Sequence, residues 1–301
     1  MKYKDAGVDI EKADLFVEKI KKIAGNSIGD FGGLYPFGDG WLVASADGVG
    51  TKILVLDYLK KYEVIGWDLV AMNVNDILTF GAEPLFFMDY FACGKLDLER
   101  AEKIIKGIVD ACKESNCVLL GGETAELPDL IDRDKYDLGG FVVGFLKNKP
   151  SKIEKGDILY ALPSNGFHSN GFSLIRKILK DKGISFEDEY WSKVLTKPTR
   201  IYVKDVLPLF KKNLVKRGVH VTGGGIEGNL KRILGGLGYK IYYDWEVPQE
   251  FKKIQKLGGI PDEEMRKVFN LGIGFILILE KDKFDEVKEI LKEGFVVGEI
   301  V

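Results

Sequence analysis

The chain has 301 residues, a formal net charge of −2, 46% hydrophobic residues and 30% charged ones. That is a globular balance, long enough for two domains of about 100–200 residues each, and it offers no basic field to attract a nucleic-acid backbone. The opening MKYKDAGVDIEKADL has early acids and no apolar h-region, and the longest apolar stretch, Leu271–Leu279, is far shorter than the ~20 residues of a membrane helix, so a cytoplasmic protein with no membrane partner is expected.

The first predicted element is a helix over 11–24, with Ala13, Phe16, Ile20 and Ile23 as an apolar stripe toward a core. Trp41–Ala46 reads as a strand leading into Asp47-Gly48-Val49-Gly50-Thr51-Lys52. A helical stretch over Leu69–Phe80 contains Asn75-Asp76, and Leu85–Ala92 has the aromatic content of a buried strand. Glu99–Glu114 places Ile104, Ile105, Ile108 and Cys112 at helical spacing; a short strand, Cys117–Leu120, then ends in Gly121-Gly122-Glu123, and Tyr136–Leu146 is another strand. The polar, proline-bearing Lys147–Ser151 marks a boundary, giving domains 1–148 and 149–301. The second half begins with a strand at Asp157–Leu162, a loop at Pro163–Gly171 and a helix from Phe172. A helix at Lys204–Lys212, a strand at Gly218–Thr222 and the glycines 223–225 come next. Strands at Tyr239–Tyr243 and Gly272–Leu279, a helix from Asp282 and a last strand at Phe295–Val301 complete the pattern.

The three cysteines have no zinc spacing and read as buried thiols. Two glutamines against abundant Lys and Glu match the composition of heat-adapted proteins. Glycine is the informative excess, at 36 residues against a usual ~7%. The glycines cluster where strands are predicted to end, beside acids, Lys, His or Asn, which is where α/β folds present ligand-binding groups.

Four such segments carry candidate chemistry. In Ser45–Lys52, Asp47 offers carboxylate oxygen to a hard cation; the amides of Gly48–Gly50 and the Lys52 charge suit phosphate, although the P-loop spacing is absent and a plain turn would read the same way. In Asn73–Asp76, an acid set among apolar residues needs a partner, which favours a metal or catalysis over capping. Gly121–Glu126 (GGETAE) fits metal contacts and a helix start equally. Ser164–Gly171 (SNGFHSNG) places His168 on a polar loop, a setting for acid/base work or phosphate contact. For His220, ahead of Thr222–Gly225, a structural role is as good a reading as a functional one. No nucleophile constellation is present.

In order and spacing, these segments resemble the phosphoribosylformylglycinamidine cyclo-ligases, or aminoimidazole ribonucleotide synthetases. The resemblance runs from Tyr3–Ile10 (YKDAGVDI) and Phe31–Leu34 (FGGL) through DGVGTK, Asp68–Asp76 (DLVAMNVND), Gly81–Tyr90 and GGETAE. It continues to His168–Leu174 (HSNGFSL), Pro198–Lys204 (PTRIYVK), Thr222–Gly225 and Phe269–Gly274 (FNLGIG). It implies an α+β chain of two mixed α/β domains of the PurM-like type, in a homodimer whose N-terminal sheets join. It also implies ATP-dependent closure of formylglycinamidine ribonucleotide to aminoimidazole ribonucleotide in purine biosynthesis, through a phosphorylated amide.

Carried onto this sequence, the resemblance assigns Asp47, Asp76, His168 and Asn170 to catalysis and Mg2+ to Asp47, Asp76 and Glu123. ATP falls to Asp9, Gly32, Gly33, Gly48, Gly50, Thr51, Lys52, Asn75, Gly121 and Gly122. Asp30, Ala46, Gly228 and Lys231 depart from the family pattern, standing where Gly, Thr, Glu and Pro are common. The alternatives are a related ATP-using enzyme, such as a thiamine-monophosphate kinase, and a nucleotide-binding protein without turnover. Against the first, HSNGFSL and PTRIYVK match the ligases better, and there is no terminal or N-terminal cysteine of the kind other relatives use.

Overall fold

The computed structural model describes residues 2–25 and 29–301. Helix α1 (Ile10–Ala24) starts at Asp9, whose side chain accepts the Lys12 amide at 3.2 Å. The expected inward stripe is not formed: Phe16 is 64% and Ile23 88% exposed, because the helix stands outside both hydrophobic clusters of the protein.

The N-terminal half is built on a five-stranded sheet of order β1-β2-β5-β3-β4. Its strands are β1 (Gly33–Phe37), β2 (Gly40–Gly48), β3 (Glu83–Cys93), β4 (Val118–Glu126) and β5 (Tyr136–Leu146). Only β3 and β4 pair in parallel. Between β2 and β3 lie α2 (Ile53–Tyr58) and α3 (Tyr62–Leu78), and between β3 and β4 lies α4 (Leu98–Glu114). Helix α4 is amphipathic, with Ile104, Ile108 and Cys112 turned inward as their spacing requires. Helix α3 is buried and mostly apolar around its circumference, with β2 and β5 against it on the sheet side and elements of the C-terminal half beyond. Helices α3 and α4 cross so closely that a Cβ on Gly107 would sit 1.9 Å from the Glu63 carbonyl oxygen. All three cysteines are buried and free.

The other face of this sheet is left open. Leu85, Tyr90, Leu120 and Phe141 are exposed there or along the β4 edge, so β3 is half-buried where a fully buried strand was expected.

The C-terminal half carries a second five-stranded sheet, of order β7-β9-β6-β10-β8 and wholly antiparallel. Its strands are β6 (Ile158–Pro163), β7 (Arg217–His220), β8 (Tyr239–Ile241), β9 (Ile273–Leu279) and β10 (Phe295–Ile300). Strand β9 is buried along its whole length, as its unbroken apolar run requires. Helices α5 (Phe172–Asp181), α6 (Glu189–Leu195) and α7 (Val203–Lys211) precede β7, and α8 (Gly225–Lys231) follows it. Helices α9 (Gln249–Gly258) and α10 (Asp262–Val268) precede β9, and α11 (Phe284–Ile290) precedes β10. Phe167, Phe172, Phe251 and Phe269 form an aromatic cluster beneath α5. No described helix is long and apolar enough to cross a membrane.

The two halves share one continuous hydrophobic cluster and a set of directed bonds from α3. Trp67 Nε1 donates to the Thr199 carbonyl at 2.8 Å, and Asp68 Oδ1 accepts the Thr199 amide at 2.6 Å. Asn75 donates to the Arg200 carbonyl at 2.8 Å and accepts the Tyr202 amide at 3.1 Å.

Candidate active site

The end of β2, the last turn of α3 and two loops of the C-terminal half enclose a cavity of about 680 Å³. Asp47, Gly48, Gly50, Thr51 and Asp76 line one side, and Ser169, Asn170, Ser173, Thr222, Gly223 and Arg232 the other.

Asp47 is set by its neighbours. Its amide donates to Asn73 Oδ1 at 3.0 Å, and its own Oδ1 accepts the Gly48 amide at 2.8 Å. Desolvation, with the Asp76 charge as the second cause, raises its pKa from 3.8 to about 6. Asp76 Oδ1 lies 2.8 Å from His220 Nδ1, and Asp76 Oδ2 accepts from the Ser45 hydroxyl at 3.3 Å. His220 is fully buried, and its Nε2 has no partner among the described residues. Two carboxylates facing one cavity, one of them held back from ionising by burial and then by the other's charge, form a donor set that a divalent cation would satisfy.

The far wall is glycine backbone held by a side chain. Asn229 Nδ2 donates to the carbonyls of Gly225 at 2.7 Å and of Thr222 and Gly223 at 3.3 Å. Gly225 has φ of +65°, and a Cβ there would lie 1.8 Å from the Arg266 carbonyl oxygen, so only glycine fits. Asn170 Nδ2 is buried without a partner among the described residues. Thr51 Oγ1 meets Ser173 Oγ at 2.9 Å across the cavity, joining the halves.

Several expected site residues lie elsewhere. Lys52 does not face the cavity: it is fully buried, with Nζ 2.6 Å from Asp68 and 2.8 Å from the Lys197 carbonyl. Burial lowers its pKa, with Asp68 opposing. Asn75 is occupied as a strut between the halves. His168 is 1% exposed and not on an open loop. Its Nε2 accepts the Asn165 amide at 3.1 Å and the Arg200 amide at 3.4 Å, which places the ring hydrogen on Nδ1. Burial, then the His220, Lys52 and Arg200 charges, hold its pKa well below the usual range, so the ring is neutral.

Gly121, Gly122 and Glu123 lie within β4, which runs on to Glu126, and are exposed at the sheet edge outside the cavity. No group of three or more His, Cys, Asp or Glu positioned to hold a metal exists among the described residues, so Glu123 does not join Asp47 and Asp76 within one chain. Asp9 caps α1 and pairs with Lys4 at 2.9 Å. Gly32 is buried against the Ala44 carbonyl, next to the cavity-lining Phe31, and Gly33 begins β1. Asp30, where glycine is common, bonds Arg217 at 2.6 Å and thereby ties this loop to β7.

Sequence reasoning included Asn73 in a candidate segment without giving it a role, missed Asn229 and Arg232, and left His220 undecided. Arg232 is the one cation lining the cavity among the described residues, and its guanidinium lies 5.4 Å from the Phe31 ring centre. The only local signal was a cation seven residues after the glycine run.

Two family models match in tandem: AIR synthase related protein, N-terminal domain, over residues 29–146, and AIR synthase related protein, C-terminal domain, over 154–301. The class is thus a two-domain, PurM-like chain. Thiamine monophosphate kinase from Aquifex aeolicus shares the fold at a TM-score of 0.70 and 18% identity, covering 97% of this chain and 95% of that one. A HypE–HypF complex structure does so at 0.70 and 20%, covering 94% and 92%. Sequence relatives are nearer. The chain is 48% identical to the chloroplastic/mitochondrial phosphoribosylformylglycinamidine cyclo-ligase of Vigna unguiculata, over 99% of this chain and 81% of the relative. It is 47% identical to that of Thermodesulfovibrio yellowstonii, over 97% and 93%. The chain belongs to the phosphoribosylformylglycinamidine cyclo-ligase family.

Proposed function

We propose that the protein catalyses ATP-dependent ring closure of formylglycinamidine ribonucleotide to aminoimidazole ribonucleotide, with release of ADP and phosphate. The observation that carries this reading is the Asp47–Asp76 pair in a cavity walled by hydroxyls and glycine backbone, in a chain of this family. The reaction needs no enzyme nucleophile. The substrate's amide oxygen takes the terminal phosphoryl group of ATP, and ADP leaves. A nitrogen of the same substrate then attacks the activated carbon, and phosphate departs with the former amide oxygen. Position and charge neutralisation supply the catalysis.

Asp47 and Asp76 would hold Mg2+, which when bound would neutralise phosphate charge. His220 fixes the Asp76 carboxylate. Arg232 takes the phosphate-facing charge expected of Lys52, and Asn170 offers its unpartnered amide to the substrate. Neutral His168 frames the loop that carries Ser169 and Asn170. We assign residues 1–148 to ATP binding and dimerisation and 149–301 to the partner wall. The bare sheet face and β4 edge support a homodimer, in which Glu123, Gly121 and Gly122 become available to the neighbouring chain's cavity. The cytoplasm is the proposed location.

Phosphate release from ATP and Mg2+ is to be measured with and without formylglycinamidine ribonucleotide, alongside the aminoimidazole product. Release should require the substrate, match product one for one, and be lost in Asp76→Asn. Release that is indifferent to this substrate refutes the proposal.

A further inference from the structure

A second cavity, of about 1000 Å³, opens on the other side of Ser173, which lines both. Its volume is at the upper end of small-molecule sites, ~300–1000 Å³. One face of α5 supplies Arg176, Lys177 and Lys180, and the turn before β5 adds Lys135. The opposite wall is apolar and aromatic, with Tyr58 and Phe186 edge to face at 5.6 Å between ring centres.

The charges here are unequally satisfied. Lys177 pairs with Asp181 at 3.1 Å, and Lys180 sits in the last turn of α5, where the helix dipole favours a cation. The remaining lining acid, Asp5, accepts the Lys2 amide at 2.8 Å. Arg176 is half-buried in the middle of the helix, with no carboxylate or carbonyl partner among the described residues. Its guanidinium nitrogens stay within reach of solvent and of a ligand in the cavity. Its planar fork suits a phosphate, and an aromatic wall facing it suits a flat ring.

We propose that this cavity is a second ligand site, for an organic phosphate bearing a heterocyclic ring, that is, a nucleotide. Its phosphate sits on Arg176 and Lys180 and its ring against Tyr58 and Phe186. None of these residues belongs to the Asp47–Asp76 cavity, so the site stands or falls separately from the proposed reaction.

AMP is the probe, titrated calorimetrically into the full chain without turnover. AMP affinity should fall at least tenfold in the Arg176→Gln/Lys180→Gln double variant and stay unchanged in Asp76→Asn. The double variant should keep its melting temperature and its KM for formylglycinamidine ribonucleotide. Four results would overturn the proposal. These are no binding at millimolar AMP, equal affinity in wild type and double variant, loss of binding in Asp76→Asn, or a tenfold rise in that KM, which would make the cavity part of the substrate site.

Discussion

Asp47→Asn should abolish turnover and yet stabilise the ligand-free protein at pH 8. The carboxyl titrates at about 6 in the fold against 3.8 as a free side chain, so folding favours its protonated form. A raised carboxyl pKa means that the folded state is most stable below 3.8 and loses stability as pH rises through 6. The difference between 3.8 and 6 corresponds to at most ~3 kcal/mol, and solvent at the cavity mouth reduces this to ~1–2 kcal/mol. Asparagine keeps an oxygen for the Gly48 amide and removes the repulsion with Asp76. Urea denaturation at pH 4 and pH 8 tests this. The two proteins should differ little at pH 4, and the variant should be more stable by ~1–2 kcal/mol at pH 8. Mg2+ should then stabilise the wild type and not the variant, by the mass action of binding to the native state. A variant that is less stable than wild type at pH 8 would show that Asp47 is favourably paired, and the reasoning would fail.

The other expectations follow from individual contacts. Arg232→Gln should raise the KM for ATP at least tenfold in steady-state assays with little change in melting temperature, since the side chain is exposed and has no carboxylate partner among the described residues. Lys52→Met leaves Asp68 charged, buried and unpaired, and should cost ~3–5 kcal/mol in denaturation, while the folded fraction keeps its KM for ATP. Asn229→Ala frees three carbonyls of the glycine loop and should lower stability by ~1–3 kcal/mol and raise KM for substrate. Leu120→Lys, at the exposed β4 edge, should convert the proposed dimer to monomer in sedimentation velocity; a wild type that is already monomeric would remove the basis for this expectation.

What could be read from the chain divides along local and non-local lines. Helix α4 was legible because amphipathic spacing is a property of consecutive residues, and β9 because an unbroken apolar run of seven has nowhere to go but a core. Asp76 drew notice for the opposite reason, as an acid in an apolar helical pattern, and Asp47 through the glycines that follow it; the structure brings both to one cavity. The misreadings share one cause. Lys52 follows Asp47 by five positions and so looked like part of the same phosphate site. The turn at Gly50–Lys52 instead sends its side chain under α3 to Asp68. GGETAE has the composition of a loop, yet pairing with β3 carries it on as strand, where glycine is tolerated at an edge. Polar neighbours around His168 suggested solvent, whereas two backbone amides, from Asn165 and Arg200, hold Nε2 inside the protein, and Nδ1 is buried without a partner among the described residues.

His220 is the sharpest case, because its partner Asp76 is 144 residues away and no window of sequence contains both. The same separation shows that the candidate site is assembled from both halves. The carboxylates come from the first half, the glycine loop and the cation from the second. The struts from α3 to Thr199, Arg200 and Tyr202 fix one half against the other. A sequence motif can mark each contributor, but the Asp47–Asp76 pair, held together within the first half, meets His220, the glycine loop and Arg232 only where the second half closes on α3.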